Sequence, residues 1–343
     1  MEYISTKSIQ KAKRLFKNIK NIAIITHFNP DGDAIGSSLG LYHHLKNQGF
    51  QVDVIIPNTF PQFLSWMPAS EQIHVYDNDS DSSRKILNQA ELLVFLDFNV
   101  LDRTQGMEGY LKTLDTPKVL IDHHPDPDPF ADVTISNTGV SSTAELMYEF
   151  IARVWKEQSI DYNISECLYT GIMTDTGSFS YNSSSPNTYY VVSKLIENGI
   201  DKDKIYWKVY DNYSIDRMRL LGHCLNHKMK VFPEFGAAYI SINQQELKDF
   251  HYSTGDSEGF VNYPLSIKGI IFSVIFIERE GHIKISFRSK GNFEVNKFAE
   301  RHFNGGGHVN AAGGYAETSL DETLRKFEEL IASYKDEILT HTI

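Results

Sequence analysis

The sequence has little cysteine. Cys167 and Cys224 are the only two, and no Cys-x-x-Cys pair occurs, which excludes a disulfide framework and a structural zinc site. Long apolar runs are also missing. The longest nearly unbroken one, residues 269–277, falls well short of the roughly 20 residues a membrane helix needs and reads as a buried strand. Basic excess is absent too: 33 Lys and Arg stand against 44 Asp and Glu, a formal charge of −11. That balance argues against coating long nucleic acid through a broad basic surface. It suits an enzyme that gathers carboxylates around metal ions and takes a small anionic substrate. The N-terminus has no apolar leader. Lys7, Lys11, Lys13, Arg14 and Lys17 alternate with Ile9, Leu15 and Phe16, the pattern of an amphipathic helix. The expectation is a soluble, reduced, cytoplasmic protein that does not engage a membrane.

What is present is material for a core: 41% hydrophobic residues over 343 positions, with 22% charged. That length suggests two domains. The first half alternates strand and helix patterns. Apolar runs at 21–27 (NIAIITH), 51–56, 91–97 (ELLVFLD) and 117–122 (PKVLID) are separated by helical patterns such as 34–48, and further helices are predicted over 142–156, 165–173, 187–198 and 202–210. Short apolar strands bounded by helices predict a doubly wound, mostly parallel sheet. The second half predicts hairpins at 229–242 and 268–288 and a closing helix at 320–333, hence a smaller α+β domain with a mixed sheet and a cleft between the two. The predicted boundaries are a catalytic domain over 1–210, a helical linker over 211–225 and a second domain over 226–343. Residues 279–301 form the one locally basic stretch, with six Lys or Arg against three Glu.

Four segments share one property: an apolar run or helix ends and carboxylate or imidazole groups come directly after it. They are His27-Phe28-Asn29-Pro30-Asp31-Gly32-Asp33, Asp97, Asp122-His123-His124, and Thr174-Asp175-Thr176-Gly177. Any one alone reads as a turn or a cap. Together they obey the rule that ligand chemistry gathers at the carboxyl ends of parallel strands, so the spacing predicts a single crevice with Asp175 closing it from a helix. Carboxylates with imidazoles and no thiolate suit Mn²⁺, Fe²⁺, Co²⁺ or Zn²⁺, with Mg²⁺ as a further alternative. So many donors exceed the needs of one ion and fit two, about 3.5–4 Å apart, with Asp97 as the bridging candidate. Such a pair serves phosphate ester hydrolysis.

These residues, with Asn304-Gly305-Gly306-Gly307-His308-Val309-Asn310-Ala311-Ala312-Gly313 near the C-terminus, resemble the motifs of the DHH phosphoesterase superfamily and its DHH-associated domain. Phe287-Arg288-Ser289-Lys290 and the chain length resemble most the branch of short bifunctional oligoribonucleases and PAP phosphatases. The resemblance implies that His27, Asp31 and Asp97 hold one metal and that Asp33, Asp97, His123 and Asp175 hold the other. It implies that His124 touches the scissile phosphate, that Asp122 orients an imidazole, and that Arg103 lies near the site. It further implies that Arg288, Ser289 and the Gly305, Gly306, Gly307 and His308 loop grip the nucleotide. Glycines permit close approach, and their N–H groups form an anion nest. Val309 and Phe98-Asn99 depart from residues common in relatives, and neither position is a ligand.

The expected activity is two-metal hydrolysis of short oligoribonucleotides to mononucleotides and of 3′-phosphoadenosine 5′-phosphate (pAp) to AMP. The expected cofactors are two divalent cations, Mn²⁺ foremost, with Mg²⁺ or Co²⁺ as alternatives. Long duplex nucleic acid is not an expected partner, and a homodimer is compatible with the sequence. The rival activities are a cyclic or linear dinucleotide phosphodiesterase, an exopolyphosphatase-like hydrolase, and a nucleotide sensor without catalysis.

Overall fold

A computed structural model of the chain describes residues 2–340. It divides into two compact units, Met1–Asn212 and Tyr213–Ile343.

The first unit is a six-stranded sheet: β1 (Asn21–Ile25), β2 (Gln51–Ile56), β3 (His74–Val75), β4 (Leu92–Leu96), β5 (Lys118–Asp122) and β6 (Val133–Ser136). Every pairing is parallel, in the order β3-β2-β1-β4-β5-β6. Its helices are α1 (Thr6–Leu15), α2 (Gly32–Asn47), α3 (Ser80–Gln89), α4 (Glu108–Leu111), α5 (Thr143–Val154), α6 (Tyr162–Asp175), α7 (Pro186–Glu197) and α8 (Lys202–Tyr210). The central strands are largely apolar, NIAII, LLVFL and KVLID, as strands covered on both faces are. Ile22, Ile24, Val94, Leu96, Val119 and Ile121 pack on one face with residues of α2, α5 and α6. Ala23, Ile25, Leu93, Phe95 and Leu120 pack on the other with Leu87 of α3 and Leu111 of α4. The chain runs outward from β1 to β3, then returns to β4 beside β1. The order therefore reverses between β1 and β4, where an open α/β sheet leaves a crevice at its carboxyl edge.

Two strands here are absent from the sequence pattern: β3, two residues long, and β6, whose burial alternates because it is an edge strand. Helix α6 begins earlier than its apolar pattern because Asp161 caps its first turn by accepting from the Ile164 N–H (3.0 Å), and it runs two residues further, to Asp175.

The second unit holds α9 (Ile215–His223), β7 (Met229–Phe232), β8 (Ala237–Ile242), α10 (Gln244–Asp249), β9 (Phe272–Arg279), β10 (His282–Ser289), α11 (Val295–His302), β11 (Gly306–His308), β12 (Ala311–Ala316), α12 (Leu320–Ser333) and α13 (Lys335–Thr340). The sheet order is β11-β12-β10-β9-β8-β7, with β8 and β9 parallel and every other pair antiparallel. The sheet is mixed, as expected. Phenylalanines dominate one face, where Phe272, Phe276 and Phe287 meet Phe298 of α11 and Phe327 of α12. On the other face Ile240, Ile242, Ile275 and Ile277 pack with Leu220 and Leu221 of α9, so the helix within 211–225 contributes to this core. The glycine-rich segment expected as a loop is strand β11 and the turn into β12. A Cβ on Gly305 would lie 2.1 Å from the Gly313 carbonyl oxygen, and that close backbone approach lets the segment pair as a strand.

Candidate metal centre

The carboxyl ends of β1, β4 and β5, the start of α2 and the end of α6 bring their polar residues together. His27 comes just after β1, and its Nδ1 donates to its neighbour's carbonyl, Phe28 O, at 3.0 Å. That bond leaves Nε2 as the lone-pair nitrogen. Asp31 caps α2, one carboxylate oxygen accepting from the N–H groups of Asp33 (3.0 Å) and Ala34 (3.1 Å). Asp97 sits at the end of β4 in the left-handed region, φ +67°, a conformation Asp tolerates better than most residues.

Within the first unit, three groups of potential ligand atoms each lie within 4.8 Å of one another: His27, Asp31 and Asp97; Asp33, His123 and Asp175; and Asp97, Asp122 and His124. Asp97 belongs to two of them. His27 Nε2 is 3.5 Å from Asp97 Oδ2. His123 Nε2 lies 3.5 Å from Asp97 Oδ1, 3.6 Å from Asp175 Oδ2 and 3.8 Å from Asp33 Oδ2. These separations exceed hydrogen-bond lengths. They approach the roughly 3.0–3.5 Å between donors that share one ion through bonds of about 2.1 Å. His124 differs: its Nδ1 is 2.7 Å from Asp122 Oδ1, a hydrogen bond that fixes the orientation of its ring. Arg103 is exposed at its side chain, and its carbonyl accepts from the Phe28 N–H at 2.7 Å, so it braces the His27 turn.

The electrostatics fit cations. Burial, then the charges of Asp97 and Asp31, push the Asp33 carboxyl well above the usual range. Burial, then Asp31, Asp175 and Asp122, do the same to Asp97. Carboxylates crowded away from water resist ionisation until positive charge joins them. Burial lowers the His27 pKa, which favours the neutral, ligating imidazole. The donor set is oxygen and imidazole nitrogen, suited to hard and borderline divalent ions.

Two supports of this cluster escape a reading of the sequence alone. The first is the start of α5. The N–H groups of Thr143 and Ala144 donate to the two Asp33 oxygens at 2.7 and 2.8 Å, and Thr143 Oγ1 donates to Asp97 Oδ1 at 2.8 Å. A helix N-terminus thus fixes both central carboxylates while leaving lone pairs on each. Ser141, Asn187 and Thr188 in turn hold Glu145, one turn into α5. The second support is a glycine seam between α2 and α6. Cβ atoms on Gly32, Gly36 and Gly40 would meet Thr174, Cys167 with Gly171, and Leu168 at 2.3–2.8 Å. The four-residue glycine spacing at 32, 36 and 40 is the signal that could reveal it.

In the second unit, Arg288 and His308 lie on the face of the sheet away from the phenylalanine core, and the Arg288 Nη1 donates to Phe287 O at 2.9 Å. Gly306 shares that face, whereas Gly305 and Gly307 serve close backbone approaches. Ser289 faces the core side, where its hydroxyl donates to Phe293 O (2.6 Å) and accepts from Asn310 Nδ2 (2.8 Å).

With this geometry in view, comparison places the chain. The model of the DHH family, N-terminal domain, matches residues 21–172, and that of the DHHA1 domain matches 236–337. The chain belongs to the DHH family. The solved structure of an exopolyphosphatase-related protein from Bacteroides fragilis is 44% identical, with a TM-score of 0.94 over 98% of this chain and 99% of its own. A bifunctional oligoribonuclease and PAP phosphatase NrnA from Thermus thermophilus is 29% identical over 324 residues, covering 92% of this chain and 90% of the relative. RecJ from the same organism, solved with Mn²⁺, shares the fold at 12% identity and a TM-score of 0.59, over 97% of this chain and 56% of that one. The DHH match spans His27, Asp31, Asp33, Asp97, Asp122, His123 and His124 and ends before Asp175. No helix among the described residues is long and apolar enough to cross a membrane.

Proposed function

We propose that this DHH protein is a metal-dependent phosphoesterase that hydrolyses short oligoribonucleotides to mononucleotides and pAp to AMP. The observation that carries the reading is Asp97, which shares one ligand group with His27 and Asp31 and another with Asp122 and His124, and lies 3.5 Å from His123. In this reading His27, Asp31 and Asp97 hold one divalent cation and Asp33, Asp97, His123 and Asp175 hold a second. Mn²⁺ is foremost, in keeping with the RecJ structure, with Mg²⁺ or Co²⁺ as alternatives. Two such ions neutralise phosphate charge and acidify a water molecule.

The chain's own residues do the rest. Asp33 and Asp97 are held rigid by α5, so the donors need not reorganise during the reaction. Asp122 accepts from Nδ1–H of His124 and orients its ring, which would place the imidazole against the scissile phosphate. Arg103 positions the His27 turn through its carbonyl. The first domain, 1–210, carries the chemistry, 211–225 connects, and 226–343 selects the substrate, with Arg288 pairing a phosphate and His308 and the adjacent glycines offering donors beside it. A short nucleotide substrate suits the acidic balance of −11, because long strands call for an extended basic groove.

A second reading, an exopolyphosphatase-like hydrolase, draws on the name of the Bacteroides fragilis protein. Side-by-side hydrolysis of pAp, a diribonucleotide, a cyclic dinucleotide, polyphosphate and pyrophosphate with Mn²⁺ separates them. The proposal predicts turnover of the first two above the rest. Turnover of polyphosphate alone contradicts it.

A further inference from the structure

Opposite the phenylalanine core, the sheet of the second unit carries a surface that packing does not explain. The strand register arranges it in rows. His308, Ala311 and Arg288 form one row across β11, β12 and β10; Gly306, Gly313 and Ser286 form the next; Tyr315 and Lys284 form the third. Lys284 is exposed and Tyr315 is 44% exposed.

The glycines of the middle row are the informative feature. Gly305, Gly307 and Gly314 are required by the fold, since a Cβ on each would meet backbone atoms at 2.1–2.6 Å. Gly306 and Gly313 are not. A Cβ on Gly313 would meet nothing closer than 3.9 Å and one on Gly306 nothing closer than 4.0 Å, and neither has a positive φ. Glycine weakens a strand that has no need of it. Two of them side by side keep a bare floor between the Arg288 row and the Tyr315 row.

The spacing of the rows matches a nucleic-acid strand. Same-face residues of a strand recur every two positions, roughly 6.7 Å. A nucleotide has six backbone bonds against three per amino-acid residue, so an extended nucleotide spans about the same distance. From Arg288 to Lys284 is about 13 Å, or two such steps. The charge is mainly positive. Lys284 and Arg288 share the face, and Arg279 lies next to this edge with its guanidinium over the Tyr252 ring at 4.5 Å. The carboxylate at the floor is Glu300, whose Oε1 lies 4.0 Å from where a Gly306 Cβ would be, at the far edge from Tyr315 and Lys284. An exposed tyrosine beside a lysine offers an aromatic face next to a positive charge, the pair of groups that single-stranded nucleic acid uses for stacking and phosphate contact.

We propose that this strip binds the nucleotides of an oligoribonucleotide beyond the one gripped at Arg288 and His308, with Tyr315 stacking a base and Lys284 pairing a phosphate. The inference rests on the phosphoesterase reading above and extends it to substrate length. pAp carries both phosphates on one nucleoside and cannot span to the third row.

The test is kcat/KM of the full chain with Mn²⁺ for pAp and for RNA of two to five nucleotides, in wild type, Tyr315→Ala, Lys284→Gln and the double variant. The double variant should lose about 10-fold on the tetranucleotide through KM, within the range of one stacked base, while pAp kinetics stay within about two-fold. Lys284→Gln should also flatten the dependence of log KM on log salt by about 0.7 for the tetranucleotide. Gly313→Val should raise the tetranucleotide KM without lowering the unfolding midpoint, since valine suits a strand and its Cβ meets open space. Equal losses on pAp and tetranucleotide, no loss on either, or a lowered midpoint for Gly313→Val would overturn the inference while the phosphoesterase reading stands. A wild type that cleaves neither substrate overturns both.

Discussion

Replacing Gly36 with alanine should disable the centre without touching a single ligand. Its Cβ would sit 2.6 Å from the Cys167 carbonyl oxygen and 2.8 Å from the Gly171 nitrogen, both backbone atoms of α6. Ordinary contact begins at 3.4 Å, so the helices must part by about 0.8 Å. Alanine favours a helix over glycine by about 1 kcal/mol, while overpacking of this kind costs about 1–3 kcal/mol. The net fall in stability should therefore be modest, about 0–2 kcal/mol. Function should suffer far more. Asp33 stands at the start of α2 and Asp175 at the end of α6, so separating these helices moves donors of one ligand group apart. Misplacement near 1 Å costs about 100-fold in rate. The assay pairs kcat on a short RNA with thermal unfolding, and Gly222→Ala serves as the control, since its Cβ would meet nothing within 4 Å. Gly36→Ala with wild-type kcat would refute the argument that the seam sets the donor geometry. A loss of rate matched by wholesale unfolding would refute the stability estimate.

The same structure supports three further expectations. Thr143→Val removes the hydroxyl that donates to Asp97 at 2.8 Å while keeping the side-chain shape, and should raise the Mn²⁺ concentration for half-maximal activity about 10–100-fold. Arg288→Ala should raise KM for pAp and RNA while changing turnover of bis-p-nitrophenyl phosphate much less; equal effects on all three would remove the arginine from nucleotide binding. Acid should weaken the fold partly through His44. It is fully buried on α2 against Trp155, and burial holds its pKa near about 4 against 6.5 when unfolded. The unfolded chain takes up the proton first, so stability is complete above pH 6.5 and falls as pH drops toward 4. The loss reaches about 3 kcal/mol. Urea midpoints at pH 7 and pH 4.5 should show a shallower loss in His44→Leu than in wild type.

The candidate ligands are legible because parallel strands are written as short apolar runs, and the residues immediately after each run lie at the sheet's carboxyl edge. His27, Asp97 and the 122–124 triplet sit where that rule puts them, and the order reversal between β1 and β4 brings the first two side by side. The groups that hold these ligands are harder to read. Thr143 and Ala144 act through backbone N–H groups that any residue would supply, so their identity carries little signal. Glycines 32, 36 and 40 read individually as weak helix residues, and their meaning depends on a partner helix more than a hundred positions away. The glycine segment at 305–307 reads as a loop because glycine disfavours strands. It pairs as β11 because a bare backbone can approach β12 more closely than a side chain allows. Strands β3 and β6 escape the pattern for want of length and of burial on both faces.

The central claim is that residues from β1, α2, β4, β5 and α6 clasp two divalent cations through a shared Asp97. Calorimetric titration of the metal-free chain with Mn²⁺, in wild type and in Asp97→Asn, tests it most directly. The account predicts two ions per chain in wild type and, in the variant, loss of at least one together with phosphoesterase activity. One ion or none in wild type, or two ions with near wild-type turnover in Asp97→Asn, would contradict it.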